Sequence, residues 1–258
     1  MMATTSVIPA GTPLARALLA LADDALILGH RTSEWTGRAP LLEEELALAN
    51  IALDLIGQAR ALYTAAGAIT GHSEDELAYL REAGQFRNAL ITELPNGDFA
   101  FTVVRLALVS AASDLFWRAA SERGASGCAD TTLAEIAAKA EKETAYHWRH
   151  GAEWLIRLGD GTAESHRRAQ AALEGIWPYT GELFDGDEPA LSAIVPDRGA
   201  LRPAWDAMVN PVLSRATLQR PADGWMQSGG RAGRHTEHLG RLLAEMQVLP
   251  RTYPGATW

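Results

Sequence analysis

The sequence predicts an all-α fold, a bundle of long helices, and three observations support this. Apolar residues recur three and four positions apart over long stretches, as Leu18, Leu21 and Leu28 do near the start of the chain, and this spacing places them on one face of a helix. Glycine, proline and capping residues separate these stretches. No strand-like alternation, internal repeat or dividing linker is visible, so the 258 residues are predicted to form a single domain.

The helix boundaries are predicted from capping residues, prolines and glycines. Residues 1–13 are small and polar, do not resemble a secretory signal, and are expected to form a loose N-terminal tail. Ser73, followed by Glu76, predicts a capping box at a short helix, and Asp98 is expected to cap the next helix. The other predicted helices cover residues 14–30, 41–69, 98–124, 130–158, 163–184 with a bend near Pro178, 201 onward with Pro203 in the first turn, and 235–249.

The second predicted helix is the longest and the most uniformly apolar. Its acidic first turn, Glu43 to Glu45, suits the positive end of the helix dipole. Its larger apolar residues point in nearly all directions around its axis: Leu46, Leu48, Ile51, Leu53, Leu55 and Ile56. Because a helix that is apolar on every side is normally surrounded by protein, we expect it to be the central buried helix.

Composition and charge exclude several classes of function. The formal net charge of −9 makes nucleic acid or an anionic membrane a poor partner. The apolar stretch Leu46–Ile56 is interrupted by Asn50 and Asp54, so no membrane span is expected. Cys128 is the only cysteine, which rules out an internal disulfide and agrees with a cytoplasmic location.

The histidines lack the spacing that marks a two-metal helical bundle. Such bundles take their ligands from Glu-x-x-His pairs on two helices and from single carboxylates on two others. None of the seven histidines here has an Asp or Glu three residues before it. The sequence therefore predicts the scaffold without its metal, and no catalytic residue.

Polar side chains on the second helix form a stripe within an apolar environment. Asn50, Asp54 and Gln58 stand four residues apart and so share one face. A buried Asp must be paired, hydrogen-bonded or metal-bound. The stripe is either a ligand site or an internal hydrogen-bond network, and without a partnered His the network is favoured. Asp23 or Asp24 and Asp114 could face the same interior or water.

The fifth predicted helix holds the nearest approach to a metal pair. Glu143 and His147 are four residues apart, and Tyr146 occupies the position three residues after Glu143. A tyrosine can ligate iron, but it is more often a packed aromatic residue with a hydrogen-bonded hydroxyl. The alternating charges of Glu135, Lys139 and Glu143 also suit a solvent-facing row of ion pairs.

A glycine-rich loop before the last helix is a candidate anion site. Arg231 and Arg234 lie in the run from Gly229 to Arg234, at a helix N-terminus where a phosphate could bind. The alternative is a flexible docking loop. His235 and His238, three residues apart, are expected to pack or cap rather than bind zinc.

Several segments together resemble the C-subunit family of bacterial phenylacetyl-CoA epoxidases. They extend from the second helix to the C-terminus, so the resemblance covers nearly the whole chain. The segments are Glu45–Arg60, Glu93–Phe99, Lys142–His147, Trp154–Thr162, Gly233–Gly240 and Leu243–Gln247.

The resemblance implies a ferritin-like fold and a role in aerobic phenylacetate degradation. It implies that this chain is a structural, non-catalytic subunit, and it leaves open whether the chain has any enzymatic activity by itself. The di-iron centre would belong to a homologous A subunit, and NADPH, flavin and an iron–sulfur centre to a separate reductase subunit. Two positions would mark the lost metal site, because each carboxylate lacks a histidine three residues later. Asp54 is followed at that spacing by Gly57, and Glu143 by Tyr146.

Two alternatives remain open. One is an enzyme in its own right with a divergent metal site formed by Asp54, Glu143, Tyr146 or His147. The other is a subunit whose Arg231 and Arg234 contact the phosphates of the CoA ester.

Overall fold

Ten α-helices are present in the part of the chain that the computed structural model describes, which is residues 7, 9, 11–126, 131–185 and 194–256, and those residues contain no strand. Short 3₁₀ turns at Ala83–Gln85, Trp177–Tyr179, Gly181–Phe184 and Gly230–Ala232 join some of them. The helices are α1 (Pro13–Ser33), α2 (Leu42–Thr70), α3 (Glu74–Tyr79), α4 (Leu90–Glu93), α5 (Phe99–Ala125), α6 (Thr131–Gly159), α7 (Ala163–Ile176), α8 (Arg198–Arg215), α9 (Glu237–Met246) and α10 (Val248–Thr252).

Four long helices form the centre of the fold as two antiparallel pairs, α1 with α2 and α5 with α6. The pairs join where α2 lies beside α6, and α7 and α8 pack on α5. The predicted all-α ferritin-like bundle, with long central helices and additional C-terminal helices, is confirmed. One apolar cluster links α1, α2 and α9, and a second surrounds the N-terminal half of α5.

Close backbone approach explains the tight α5–α6 pair. A Cβ on Gly151 of α6 would lie 3.0 Å from the backbone of Ala107 on α5. At the other end of the pair, a Cβ on Gly124 would lie 2.5 Å from the Cβ of Ala134. Glycine at these two positions lets the helices approach more closely than any side chain would allow.

Side-chain caps set the beginnings of several helices. Thr12 accepts a hydrogen bond from the backbone N–H of Ala15 and begins α1. The predicted capping box of Ser73 and Glu76 is present at α3, and Asp98 caps α5 as predicted. Each such cap stabilises a helix by roughly 1 kcal/mol, since it satisfies a backbone donor that has no partner within the helix.

Several predicted boundaries are wrong, and two of them lie near prolines. The predicted break near Pro178 is present, but α7 ends at Ile176 and the chain continues to Phe184 as two 3₁₀ turns and not as helix, because Pro178 cannot donate to the helical ladder. α8 begins at Arg198, capped by Asp197, so Pro203 lies inside the helix and not in its first turn. The predicted last helix divides into α9 and α10, and four-residue α4, too short to show a period, was not predicted.

The prediction that α2 is buried on all sides is wrong. Leu46 is 58% exposed and Leu53 is 65% exposed, whereas Leu48 and Ile51 are buried. α2 packs against α1, α6 and the short helix α3, and the side that carries Leu46 and Leu53 is exposed.

The long helix with the longest unbroken buried run is α5, in which residues 102–112 are all buried. By length and composition alone it is apolar enough to cross a membrane, but 78% of its most apolar stretch is buried inside the protein. Because the core helix of a helical bundle meets the same criterion, this is weak evidence for a membrane span.

Candidate functional site

Polar side chains bridge α2 and α6 along their shared edge. The Nε2 of His147 lies 3.0 Å from Asp54 Oδ2, and the amide of Gln58 donates to Glu143 Oε2 at 2.9 Å. Residue numbers rise along α2 as they fall along α6, so the helices are antiparallel. We call the bridging side chains the α2–α6 ladder: Glu44, Asp54 and Gln58 on α2, and Glu143, His147 and His150 on α6.

His147 is the most buried member of the ladder, with 1% of its surface exposed. Burial lowers its pKa below the usual 6.5, and this outweighs the opposing effect of the Asp54 carboxylate. The imidazole is therefore neutral at pH 7, and its Nε2–H donates to Asp54.

Glu143 is held by two partners at once. Its Oε2 accepts from Gln58, and its Oε1 lies 3.3 Å from the ammonium of Lys139. At the other end of the ladder, Glu44 Oε2 and His150 Nε2 are 3.1 Å apart but lack hydrogen-bond geometry. The ladder thus contains two hydrogen bonds between α2 and α6 and one close polar contact without hydrogen-bond geometry.

Two sequence candidates lie outside the ladder. Asn50 is exposed, so it does not continue the stripe of Asp54 and Gln58. Tyr146 is 38% exposed and points outward, with its ring edge toward His147 and tilted against His150. The structure therefore joins Asp54, Glu143 and His147 and separates Tyr146 from them.

The ladder residues do not fit a two-metal centre. Among the residues that the structure describes, no three His, Cys, Asp or Glu side chains are grouped so as to hold a metal ion. Each carboxylate faces a His or an amide on the neighbouring helix, and the Lys139 ammonium competes for Glu143. A divalent ion needs several converging lone pairs, which this one-to-one pairing does not provide.

The aspartates of α1 stabilise a loop instead of joining the ladder. Asp23 is fully buried and forms an ion pair with Arg81, also fully buried. The hydroxyl of Tyr63 donates to Asp23 at 2.6 Å, and the backbone N–H of Arg87 donates to it at 2.7 Å. Burial, reinforced by the Asp23 charge, raises the pKa of Tyr63, so this hydroxyl stays protonated.

Asp114 is also separate from the ladder. It is buried on α5 and lies 2.8 Å from the guanidinium of Arg118, one turn later. Burial raises its pKa above the ordinary value despite that cation.

The predicted phosphate cradle contains a carboxylate of the chain itself. The backbone N–H groups of Gly229 and Arg231 donate to Glu182 Oε1 at 2.8 and 3.2 Å. The Arg231 guanidinium donates to Asp24 at 2.6 Å, and Arg234 is exposed. Glu182 therefore occupies the position in which the sequence placed an anion.

His235 connects the last helices to the segment before α5. Its Nδ1 lies 2.8 Å from Glu93 Oε2, and its Nε2 lies 3.0 Å from the carbonyl of Phe86. Burial by itself would lower the His235 pKa, but these acceptors raise it overall. Burial would likewise raise the pKa of Glu93, yet hydrogen bonds from His235, Thr236 and Asn88 lower it.

Sequence reasoning missed two of these contacts, and one candidate is not described. Glu182 lies 47 residues from the loop it holds, so no local pattern could have indicated the contact. Glu44 belongs to an acidic first turn whose members looked equivalent, but only Glu44 turns toward α6. Cys128, for which no nucleophilic role is expected, lies outside the described residues.

The comparison with known proteins decides the family. The family described as phenylacetic acid catabolic protein matches residues 3–258. The chain belongs to this family. A relative from Escherichia coli (strain K12), the C subunit of 1,2-phenylacetyl-CoA epoxidase, is 46% identical over 245 residues, covering 93% of this chain and 97% of the relative. The resemblance inferred from the sequence is thereby confirmed.

Proposed function

We propose that this chain is a structural, non-catalytic subunit of a phenylacetyl-CoA epoxidase acting in aerobic phenylacetate catabolism. The similarity along nearly the whole chain to the C subunit of such an epoxidase supports membership of the complex. The observation that supports the structural role is the α2–α6 ladder, in which the side chains best suited to hold a metal bond one another instead.

The physical cost of converting the ladder into a metal site is large. A metal at His147 Nε2 would require this nitrogen to lose its proton and its hydrogen bond to Asp54. A metal at Glu143 would displace Lys139 and leave the Gln58 amide without its acceptor. Leaving a buried polar group without a partner costs about 1–3 kcal/mol, so binding would have to overcome several such losses.

The proposal includes the other parts of the complex. This chain pairs with and stabilises a di-iron A subunit, which performs the chemistry. A reductase subunit with NADPH, flavin and an iron–sulfur centre supplies the electrons. The complex works in the cytoplasm, without nucleic acid or membrane as a partner.

Metal analysis of each subunit tests the structural role. The chain is purified alone and together with the A subunit, and iron is counted per polypeptide. We expect iron in the A subunit, only traces in this chain, and turnover only when the A subunit is present. Near-stoichiometric iron in the isolated chain, with the absorption band of an oxo-bridged pair, would show that it is an enzyme in its own right.

The substitution Glu143→Gln separates the two roles at one residue. It preserves the size of the side chain and an acceptor oxygen for Gln58 but removes the charge that a metal ligand needs. We expect unchanged turnover in the assembled complex if Glu143 is structural. Loss of turnover with intact assembly would contradict the proposal.

A further inference from the structure

The exposed side of α2 carries a row of residues with the spacing of a coiled coil. Its members follow one another at intervals of four, three, four, three and four residues, which is the repeat of a helix that packs lengthwise against another helix. We call this row the α2 seam: Leu42, Leu46, Ala49, Leu53, Ile56 and Arg60. At a rise of ~1.5 Å per residue the seam is about 27 Å long.

The α2 seam is exposed in the folded chain although most of it is apolar. Leu42, Leu46 and Leu53 are 69%, 58% and 65% exposed. The residues by which α2 packs inside the protein and bonds α6, such as Ile51 and Gln58, lie on the opposite side of the helix. Because a contiguous apolar row of this length is unusual on a monomer, the seam is expected to be an interface.

The α2 seam is complementary to itself when a second copy lies antiparallel. The sequence of intervals is the same in both directions, so turning α2 end over end about Ile51 places each member opposite another. Three pairs result, each formed twice: Leu42 with Arg60, Leu46 with Ile56, and Ala49 with Leu53. The middle of the pair is therefore apolar, with a small residue opposite a large one on either side of the centre.

The charges at the two ends of the α2 seam match in the same arrangement. Glu43 and Glu45 flank its first residues, and Arg60 is its last member. The Arg60 side chain is 75% exposed and donates to Glu74 through Nε at 2.9 Å, so its two terminal nitrogens are not used by any hydrogen bond among the described residues. Antiparallel copies bring this guanidinium to the acidic turn of the other copy at both ends, whereas parallel copies would bring like charges together.

We propose that the α2 seam is a self-association surface, through which two copies of this chain pair antiparallel as a symmetric dimer. The inference goes beyond the function proposed above and does not depend on it. The leucines and Ile56 supply the apolar contact area at the core of the interface. The stem of Arg60 covers Leu42 while its guanidinium reaches the carboxylates of the other copy, which sets direction and register.

The substitution Leu53→Glu tests the α2 seam, with Leu249→Glu as the matched control. Both leucines are exposed, 65% and 52%, but Leu249 lies on α10, outside the seam. Sedimentation velocity of the full-length chain is measured from about 1 to 100 μM, where a complex of micromolar affinity forms. We expect a dimer whose dissociation constant rises at least about 30-fold in Leu53→Glu, since a charge then lies at the apolar centre. Leu249→Glu should stay within about twofold of the unmodified chain.

A charge exchange tests the antiparallel arrangement, and it also serves if circular dichroism shows that Leu53→Glu reduces folding. One variant carries Arg60→Glu, and the other carries Glu43→Arg together with Glu45→Arg. Each variant alone places like charges at both ends of the pair, so its dimer should be weakened. An equimolar mixture restores opposite charges at both ends, so we expect a dimer of the two different variants with an affinity close to that of the unmodified chain.

Three results would overturn the proposal. One is a chain that remains monomeric over the whole range of concentrations, which would mean that a different partner covers the seam. Another is a dimer that Leu53→Glu and Leu249→Glu affect equally. The third is a mixture of the two charge variants that dimerises no better than either variant alone. None of these results bears on the function proposed above, because iron counting and turnover test that function separately.

Discussion

Replacing Asp23 by alanine should be among the most damaging single changes in this protein. Asp23 is fully buried and is the acceptor for three donors, the Arg81 guanidinium, the Tyr63 hydroxyl and the backbone N–H of Arg87. Without it, the Arg81 charge remains inside the protein without a counterion. The stacking of Arg81 on Phe86, at 4.1 Å from the ring centre, cannot replace a carboxylate.

The expected loss of folding free energy is about 3–5 kcal/mol, the cost of removing one partner from a buried ion pair. Urea unfolding followed by circular dichroism measures it, provided that the transition is two-state. The midpoint should fall markedly while the slope of the transition stays constant. A loss below about 1 kcal/mol would mean that water or another group compensates Arg81, and the reasoning from burial would be wrong.

Two control variants separate burial from charge. Arg60→Ala breaks the Arg60–Glu74 pair, in which the Arg60 side chain is 75% exposed, and should cost only about 0–1 kcal/mol. Combining Asp23→Ala with Arg81→Met removes the buried charge together with its partner. This double variant should recover much of the stability, because an apolar replacement of a buried pair is often nearly neutral.

Three further outcomes follow from other contacts. His235 has a raised pKa and Glu93 a lowered one, so their pair should be strongest between their ordinary values of 4.5 and 6.5. Its stabilisation is lost as pH rises through the His235 pKa and as pH falls through that of Glu93, which pH-dependent urea unfolding of the unmodified chain and of His235→Gln checks. Gly151→Val should cost at least about 1–3 kcal/mol by thermal unfolding, because its Cβ would lie 3.0 Å from Ala107. Glu182→Ala should leave three backbone N–H groups without their acceptor and speed hydrogen exchange there, and unchanged exchange would contradict this assignment.

Sequence signals were reliable where the interacting groups lie close together in the chain. The capping box at Ser73 and the cap at Asp98 were predicted correctly, because the side chain and the backbone N–H that it accepts from are within three residues of each other. A boundary failed where the apolar spacing continues past a proline, as after Ile176, where Pro178 ends the helix and the chain changes to 3₁₀ turns.

The sequence identified the residues of the candidate site better than it predicted their orientation. Asp54, Glu143 and His147 were identified from helical spacing, and the structure brings them to one edge. Tyr146, one residue before His147, points outward, since one residue along a helix changes the direction by about 100°. Spacing along each helix could not show how α2 and α6 are rotated toward one another.

The sequence by itself determined the helical class, the main caps, the family and the absence of Glu-x-x-His pairs, because each depends on residues close together in the chain. Only the tertiary structure decided which side of α2 is uncovered, that Glu182 fills the glycine loop, and that Asp23 and Arg81 share a buried site. These depend on the packing of distant helices, which sets what surrounds each side chain. The apolar sequence of α2 is the clearest case: it predicts burial, but whether the covering surface belongs to this chain or to a partner is a property of the assembled structure.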